Sequence, residues 1–462
     1  MSDAAYAVRS TPAARSGLSL SELLGALSHA LDITEGQPEG HCVRCCFIGT
    51  EMGIALGLSA FELRELYYTC LLKDLGCSSN AARLSELYLT DDLSFKHDHK
   101  VIGDSLPQVL RFVLTHTGLT AGIAERYKSI LNIARNGGEI THELIATRCE
   151  RGADIARRLR FSEAVADGIR HLDEHWNGRG KASGAAGDAI PLYARIALLA
   201  QVVDVFHRTA GIEGALAEVR RRSGTWFDPA LVATFETIAA APGFWDMLAA
   251  PHIEEVVLAL DPARQSQIVD EAYLDDVAAA FAGIVDAKSP YTAGHSSRVA
   301  DYADMIATEL GFPAGRRRWL RRASLLHDIG KLGVSNAILD KPGKLTEVEW
   351  KTMRNHAALS EQILSRISVF ETLARVAGAH HERLDGKGYP NGISGNRISM
   401  DTRAMSVADV YDALTAKRPY RDAMPQDQAL AIMEKDVGTA FDADCFAALR
   451  SALVKRELFE SL

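Results

Sequence analysis

Apolar side chains recur along the chain at intervals of three and four residues, which places them on one face of an α-helix. One set near the start comprises Leu23, Leu24, Leu27 and Leu31, and a later set comprises Val299, Tyr302, Ala303 and Ile306. A third set runs through Leu320, Ala323 and Ser324 to His327. Alternating strand patterns are scarce, and turn residues such as Lys341-Pro342-Gly343 interrupt the helical segments. The pattern predicts an all-α, bundle-like fold.

Length and charge narrow the class of protein. A chain of 462 residues predicts two or three domains. Its net charge of -9 has the wrong sign for a protein that coats a nucleic acid polymer or an anionic membrane. No apolar run reaches the roughly 18 residues of a membrane helix. The basic run 316–322 is interpreted as a solvated helix face, because Trp319, Leu320 and Ala323 lie on its inner side. No nucleic-acid-binding signature accompanies this run or the run 220–222.

The first residues of the chain and its cysteines favour a location in the cytoplasm. Residues 1–17 contain Ala, Ser and Pro but no apolar core of a signal peptide, so a disordered tail and a cytoplasmic protein are expected. The seven cysteines are odd in number and show no disulfide framework. We expect them to be buried, reduced, small apolar side chains.

The two parts of the chain are related by an internal repeat. Gly40-His41-x-x-Arg44 and Asp74-Leu75-Gly76 recur 254 residues later as Gly294-His295-x-x-Arg298 and Asp328-Ile329-Gly330. A later block, which includes Asp204, recurs 208 residues on and includes Asp412. We predict a first copy at residues 18–250 and a second copy at residues 270–462.

Candidate chemistry is concentrated in the second copy, which holds five histidines: His295, His327, His356, His380 and His381. His327 is followed by Asp328, and adjacent side chains on a helix point about 100° apart, so the pair could straddle two metal ions. Asp409 and Asp412 lie on an apolar helix, where an unpaired carboxylate would be costly. Imidazole with carboxylate suits Fe, Mn, Zn or Ni, and such a pair of ions hydrolyses phosphate esters.

These residues lie within motifs that resemble an HD-GYP domain, a subgroup of the HD phosphohydrolases. The motifs are His327-Asp328-Ile329-Gly330-Lys331, His380-His381-Glu382, Gly388-Tyr389-Pro390, Asp409-x-x-Asp412 and Arg418-Pro419-Tyr420-Arg421. The resemblance runs from about residue 275 to 450 and implies two tandem helical HD-type bundles. It also implies an activity, the hydrolysis of cyclic di-GMP to pGpG or GMP. The cofactors it implies are two divalent transition metal ions, with iron and manganese as the favoured metals.

The resemblance further implies a role for each matching residue. The metal ligands would be His327, Asp328, His356, His380, His381 and Asp409. Lys331 would contact the scissile phosphate, and the substrate would also contact Gly388, Tyr389 and Arg418. His295 and Asp412 are additional candidates. Members with a third metal have a glutamate where this chain has Tyr291, so a binuclear site is expected.

The first copy lacks most of this set. The six ligand positions there hold Lys73, Asp74, Arg148, Leu172, Asp173 and Gln201. We expect Lys73 and Arg148 to neutralise Asp74 and Asp173 where metal charge would otherwise stand. The first copy is interpreted as a degenerate domain that regulates or dimerises.

The sequence therefore predicts a cytoplasmic, bacterial-type cyclic di-GMP phosphodiesterase. Three alternatives stay open: a hydrolase of another cyclic dinucleotide such as cyclic GMP-AMP, a catalytically silent second-messenger receptor, and a general phosphomonoesterase. A homodimer or a signalling partner protein is a further expectation.

Overall fold

The computed structural model describes residues 20–100, 106–119, 121–181, 183–261, 269–417 and 421–460. Within these ranges the chain forms α-helices and short 3-10 turns, and two isolated bridges are the β-type pairings recorded there. The prediction of an all-α fold is confirmed. The predicted tail 1–17 and the predicted substrate contact Arg418 lie outside the described residues.

The first twelve described helices lie before residue 260. They are α1 (Leu20–Thr34), α2 (His41–Ala55), α3 (Ala60–Leu72), α4 (Ala81–Tyr88), α5 (Asp92–His99), α6 (Leu106–His116), α7 (Ile123–Arg158), α8 (Glu163–Arg170), α9 (Leu192–Arg222), α10 (Pro229–Ala239), α11 (Phe244–Leu248) and α12 (Ile253–Ala259). A kink interrupts α9 at Gly211.

Nine more helices lie in the described part of the second copy. They are α13 (Glu271–Asp286), α14 (His295–Glu309), α15 (Ala314–Leu326), α16 (Asn336–Leu339), α17 (Glu347–Leu364), α18 (Glu371–Gly378), α19 (Met400–Thr415), α20 (Gln426–Glu434) and α21 (Ala443–Glu460). A 3-10 turn, Ile329–Gly333, lies between α15 and α16.

The repeat predicted from the sequence has a structural counterpart in helix starts and helix packing. In the first copy α2 packs against α3 and α9, and in the second copy α14 packs against α15 and α19. Both α2 and α14 begin directly after a glycine with positive φ, Gly40 at 82° and Gly294 at 68°. Glycine adopts this backbone conformation without steric cost. Each glycine thereby directs the chain so that a histidine, His41 or His295, is the first residue of a buried helix.

The two copies share one apolar core and pack closely together. Helix α1 lies against the turn Ile329–Gly333 and against α17 of the second copy. All seven cysteines are free and buried, as the sequence predicts. The predicted copy boundaries stay a proposal, and residues 262–268 lie outside the described ranges.

The basic run 316–322 forms ion pairs with acidic side chains on neighbouring helices. Arg316, Arg317 and Arg321 pair with aspartates at 2.9, 2.7 and 2.7 Å, and Arg318 and Arg322 share Asp275. Arg316, Arg318 and Arg321 are exposed, as the interpretation of a solvated helix face expects, whereas Arg322 is buried. None of the described helices is long and apolar enough to cross a membrane.

Candidate metal centre

Seven histidine and aspartate side chains of the second copy converge in one buried cluster. The His/Asp cluster comprises His295, His327, Asp328, His356, His380, His381 and Asp409. They come from the start of α14, the end of α15, α17, the residues after α18, and α19. The structure therefore brings together all six ligands that the family resemblance implies, and it adds His295.

Asp328 lies at the centre of this cluster. Its Oδ1 is 3.3 Å from Nε2 of His356 and 3.8 Å from Nε2 of His380. Its Oδ2 is 3.2 Å from Nε2 of His327 and 3.3 Å from Nε2 of His295. One carboxylate thus faces four imidazoles, as expected of a ligand that bridges two ions.

Asp409 is the second carboxylate of the cluster and contacts three of its histidines. Its Oδ1 lies 3.3 Å from Nε2 of His295 and 3.8 Å from Nε2 of His327, while Oδ2 lies 3.9 Å from Nδ1 of His381. Burial alone would raise the pKa of this carboxyl, but the surrounding imidazoles hold it well below its ordinary value. Asp409 is therefore ionised, the form that binds a metal ion.

Asp412 lies outside the His/Asp cluster and binds one of its histidines, His295. Its Oδ2 lies 2.6 Å from Nδ1 of His295, and Arg298 donates from Nε to its Oδ1 at 2.6 Å. Holding Nδ1 in this way directs Nε2 of His295 at the two cluster carboxylates. Against burial, the nearby carboxylates of Asp328, Asp409 and Asp412 raise the pKa of His295 to about 10 in the metal-free protein.

Backbone carbonyls orient three further rings. The Nδ1 atoms of His327 and His356 lie 2.6 and 2.5 Å from the carbonyls of Ser324 and Met353, and Nδ1 of His380 contacts the carbonyl of Ala377. Each acceptor lies three residues earlier in the chain. This fixes each ring and directs its Nε2 into the cluster, where Nε2 of His356 and of His380 lie 3.4 Å apart, and it is the usual arrangement of a metal-binding histidine.

The cluster fits metal ions. Nε2 of His295, Nε2 of His327 and Oδ1 of Asp328 are buried and lack a hydrogen-bond partner of good geometry. Such orphaned atoms are costly unless a cation satisfies them. Ligand atoms of His356, His380 and His381 also lie within 4.8 Å of one another, as do those of His295, His327 and Asp409. Burial lowers the pKa of His381 to about 3, which keeps that ring neutral and able to bind.

Close backbone packing joins Asp328 to the helix that carries His356. A Cβ on Gly330 would lie 2.0 Å from the carbonyl oxygen of His356, and the Gly330 amide donates to Oγ of Ser360 at 2.9 Å. Lys331 forms an ion pair with Oδ2 of Asp328 and remains partly exposed. Its predicted contact with a phosphate stays a prediction.

The walls around the cluster contain aromatic and basic groups. The Tyr389 ring lies 4.7 Å from that of His381, and the guanidinium of Arg354 lies 5.6 Å from the centre of the Tyr389 ring. A cavity of about 260 Å³ lies beside His356 and is lined in part by Gly330, Lys351 and Asn355. Gly388 packs against the backbone of residues 381–383, so its close approach is to the protein's own chain.

The matching cluster in the first copy is filled by protein cations. Nζ of Lys73 pairs with Asp74 and lies 3.1 Å from Nε2 of His41 and 3.0 Å from Oε1 of Gln201. Arg148 pairs with Asp173, so both ion pairs expected from the sequence are present. Two possible ligand triads occur here, His41–Cys45–Asp204 and Glu35–Asp74–Cys77. Cations already pair with their carboxylates, and burial raises the pKa of both thiols well above the ordinary value, so these triads do not fit a metal ion.

Sequence reasoning missed several supporting residues. Arg298 fixes Asp412, Ser360 binds the Gly330 amide, and Ser406 donates to the carbonyl of His380 at 2.6 Å. The repeat could have revealed the first of these, because Arg44 binds Asp204 in the same way at 2.5 Å. The two serines carry no comparable signal in the sequence.

Comparison with known proteins shows which family the chain resembles. A profile described as an HD domain matches residues 108–231 and 280–445, one segment in each copy. The 3'3'-cGAMP-specific phosphodiesterase 3 of Vibrio cholerae is 58% identical over 434 residues, which cover 94% of each chain. A cyclic di-GMP phosphodiesterase response regulator of Xanthomonas campestris is 39% identical over 34% of this chain and 42% of its own.

A solved structure gives a similar result. The crystal structure of a cyclic GMP-AMP specific phosphodiesterase of Vibrio cholerae has a TM-score of 0.65 and 53% identity, and the match covers 94% of this chain and 98% of that one. The chain belongs to the HD-domain family. It is an HD-GYP domain protein, and the division into a degenerate first copy and an HD-GYP second copy stays a proposal.

Proposed function

We propose that this protein is a metal-dependent phosphodiesterase that hydrolyses 3'3'-cyclic GMP-AMP. The choice of substrate is supported by the 58% identity, over 94% of both chains, with a phosphodiesterase named for that nucleotide. Cyclic di-GMP, which the sequence analysis favoured, becomes the second candidate. It is supported by the more distant relatives named for cyclic di-GMP.

In this proposal the metal ions are held by the His/Asp cluster. His327, Asp328, His356, His380, His381 and Asp409 would hold the ions, and His295 is an additional candidate ligand beside Asp409. Bound ions would supply Lewis acidity and positive charge for the phosphate oxygens. Mixed imidazole and carboxylate ligands favour iron or manganese over magnesium.

The protein's own groups would orient the substrate. Lys331 lies next to Asp328 and is partly exposed, so its ammonium can donate to a phosphate oxygen as negative charge develops there. Tyr389 offers an aromatic face beside His381, and Arg354 lies over that ring with its guanidinium exposed. An aromatic ring and a guanidinium plane can both stack on a nucleobase. We assign base binding to these two residues.

The test compares substrates on one preparation. Protein purified without oxygen and loaded with iron or manganese is given 3'3'-cyclic GMP-AMP, cyclic di-GMP and p-nitrophenyl phosphate, and products are separated by chromatography. We expect the highest kcat/KM on cyclic GMP-AMP and no turnover by Asp328→Ala. A preference for cyclic di-GMP would overturn the substrate assignment. Bound metal without turnover of either nucleotide would favour the receptor interpretation instead.

A further inference from the structure

One carboxylate of the first copy reaches the segments of the second copy that border the His/Asp cluster. Asp92, in the first turn of α5, is fully buried. Its Oδ1 accepts the backbone amide of Asn336 at 2.8 Å, and its Oδ2 lies 3.2 Å from Nζ of Lys288. Both partners belong to the second copy, so this carboxylate ties the two copies together.

Each partner residue lies in a segment next to a candidate metal ligand. Asn336 follows the turn that starts at Asp328 and contains Lys331, and Lys288 starts the segment that leads to His295. The Asn336 side chain donates from Nδ2 to the carbonyl of Lys288 at 2.7 Å. Asp92 therefore holds the segment before His295 against the segment after Asp328.

The opposite end of α5 is anchored in the first-copy cluster. Nζ of Lys96 donates to the carbonyls of Thr34 at 2.9 Å and Cys77 at 3.0 Å, and Nζ of Lys100 lies 2.9 Å from Glu35. Cys77 occupies the position that corresponds to Lys331. One short helix thus spans the distance between the degenerate cluster and the catalytic segments.

A buried ion pair contributes little net stability, because the cost of removing two charges from water offsets their attraction. The best-supported role of such pairs is to select one arrangement of the surrounding elements. The Asp92–Lys288 pair is almost fully buried, with 0% and 1% of the side chains exposed. Its position between two ligand-bearing segments indicates which arrangement it selects.

We propose that Asp92 is a positioning residue of the catalytic site, supplied by the first copy. It aligns the turn that carries Asp328 and Lys331 with the segment that carries His295. The degenerate copy is then a structural part of the active enzyme. This inference rests on the proposed phosphodiesterase function.

The test compares Asp92→Asn with Asp98→Asn in the full chain. Asp98 lies on the same helix but is half exposed and pairs with His116 of the first copy, so it is a matched control. We expect Asp92→Asn to lower kcat about tenfold or more, with KM and metal content within twofold of wild type. Amide hydrogen exchange should accelerate at residues 287–294 and 331–340 only in this variant. Asp98→Asn should match wild type in both measurements.

Wild-type kcat and wild-type exchange in Asp92→Asn would overturn the proposal. So would a loss of activity that parallels a loss of metal or of folded protein. Should Asp92→Asn fail to fold, Asn336→Ala removes the link to Lys288 without leaving a buried charge, and faster exchange in the same two segments is expected. Bis(p-nitrophenyl) phosphate reports the metal centre whatever the natural nucleotide is. The exchange measurement stands even where the proposed function fails.

Discussion

Nζ of Lys73 lies 3.1 Å from Nε2 of His41. The corresponding positions in the second copy are occupied by His327 and His295, whose Nε2 atoms both face Asp328. Nδ1 of His41 is held by Asp204 at 2.6 Å, the same distance that separates His295 from Asp412. The first copy therefore has the same histidine orientation, with an ammonium group where the second copy has the candidate ligand His327.

The first prediction is that replacing Lys73 and Gln201 by metal-binding residues will allow the first copy to bind a metal ion. The double variant Lys73→His and Gln201→Asp restores two imidazoles and two carboxylates around the position that the Lys73 ammonium occupies. We expect it to bind about one more manganese ion per chain than wild type, measured by plasma mass spectrometry after gel filtration. Lys73→Met with Gln201→Asp is the control and should gain none. An unchanged metal content in the double variant would contradict the proposed relationship between the two clusters.

A second prediction separates ligands from the residues that orient them. Asp412→Asn should weaken metal binding by about 10 to 100-fold, because His295 loses the carboxylate that fixes its ring. Asp204→Asn makes the same change to the same His–Asp–Arg arrangement in the first copy and should leave metal affinity unaltered. Titration of the metal-free protein measures both. Equal losses in the two variants would point to general destabilisation.

A third prediction concerns the packing of the Asp328 turn on α17. Gly330→Ala places a methyl group 2.0 Å from the carbonyl oxygen of His356, so the turn and the helix must separate. We expect a loss of about 1–3 kcal/mol in unfolding free energy, together with most of the activity. Gly315→Ala on the open side of α15 meets no atom within 4 Å and should be neutral or stabilising. Denaturant unfolding and a hydrolysis assay distinguish the two variants.

A fourth prediction tests base binding. Arg354→Gln removes the guanidinium over Tyr389 while leaving the His/Asp cluster intact. We expect KM for the cyclic dinucleotide to rise about fivefold or more with little change in kcat, since stacking of this kind contributes about 1–3 kcal/mol. Arg375→Gln, at an exposed pair with Glu371, is the control. Unchanged KM in Arg354→Gln would remove Arg354 from the binding site.

Helical patterning and the repeat predicted the fold, because periodicity is a local property of the sequence. The family motifs likewise predicted which histidines and aspartates meet. The sequence did not predict the role of Asp92. Its partners Lys288 and Asn336 are 196 and 244 residues away in the chain and belong to no motif. It also left His295 undecided, because Tyr291 replaces a family ligand. Only the folded chain shows that Asp412 nonetheless directs His295 into the cluster.

The last prediction concerns the pH dependence of stability. Burial, reinforced by the charge of Lys73, lowers the pKa of His41 to about 4, against an ordinary value of 6.5. Between these values the unfolded chain binds a proton that the folded chain does not. Stability is therefore lost as pH falls from 6.5 to 4, by roughly 3 kcal/mol in total from this residue.

Urea unfolding of wild type and His41→Gln at pH 7 and pH 4.5, both with a chelator so that metal release makes no contribution, measures this loss. The wild type should lose more unfolding free energy than His41→Gln over this interval. The glutamine keeps a donor for Asp204 and an acceptor for Lys73, so the comparison removes the titration and preserves the contacts. His142→Gln replaces an exposed histidine and should follow wild type. Equal losses in wild type and His41→Gln would mean that the buried imidazole, held between Asp204 and Lys73, accepts its proton as readily in the folded protein as in the unfolded chain.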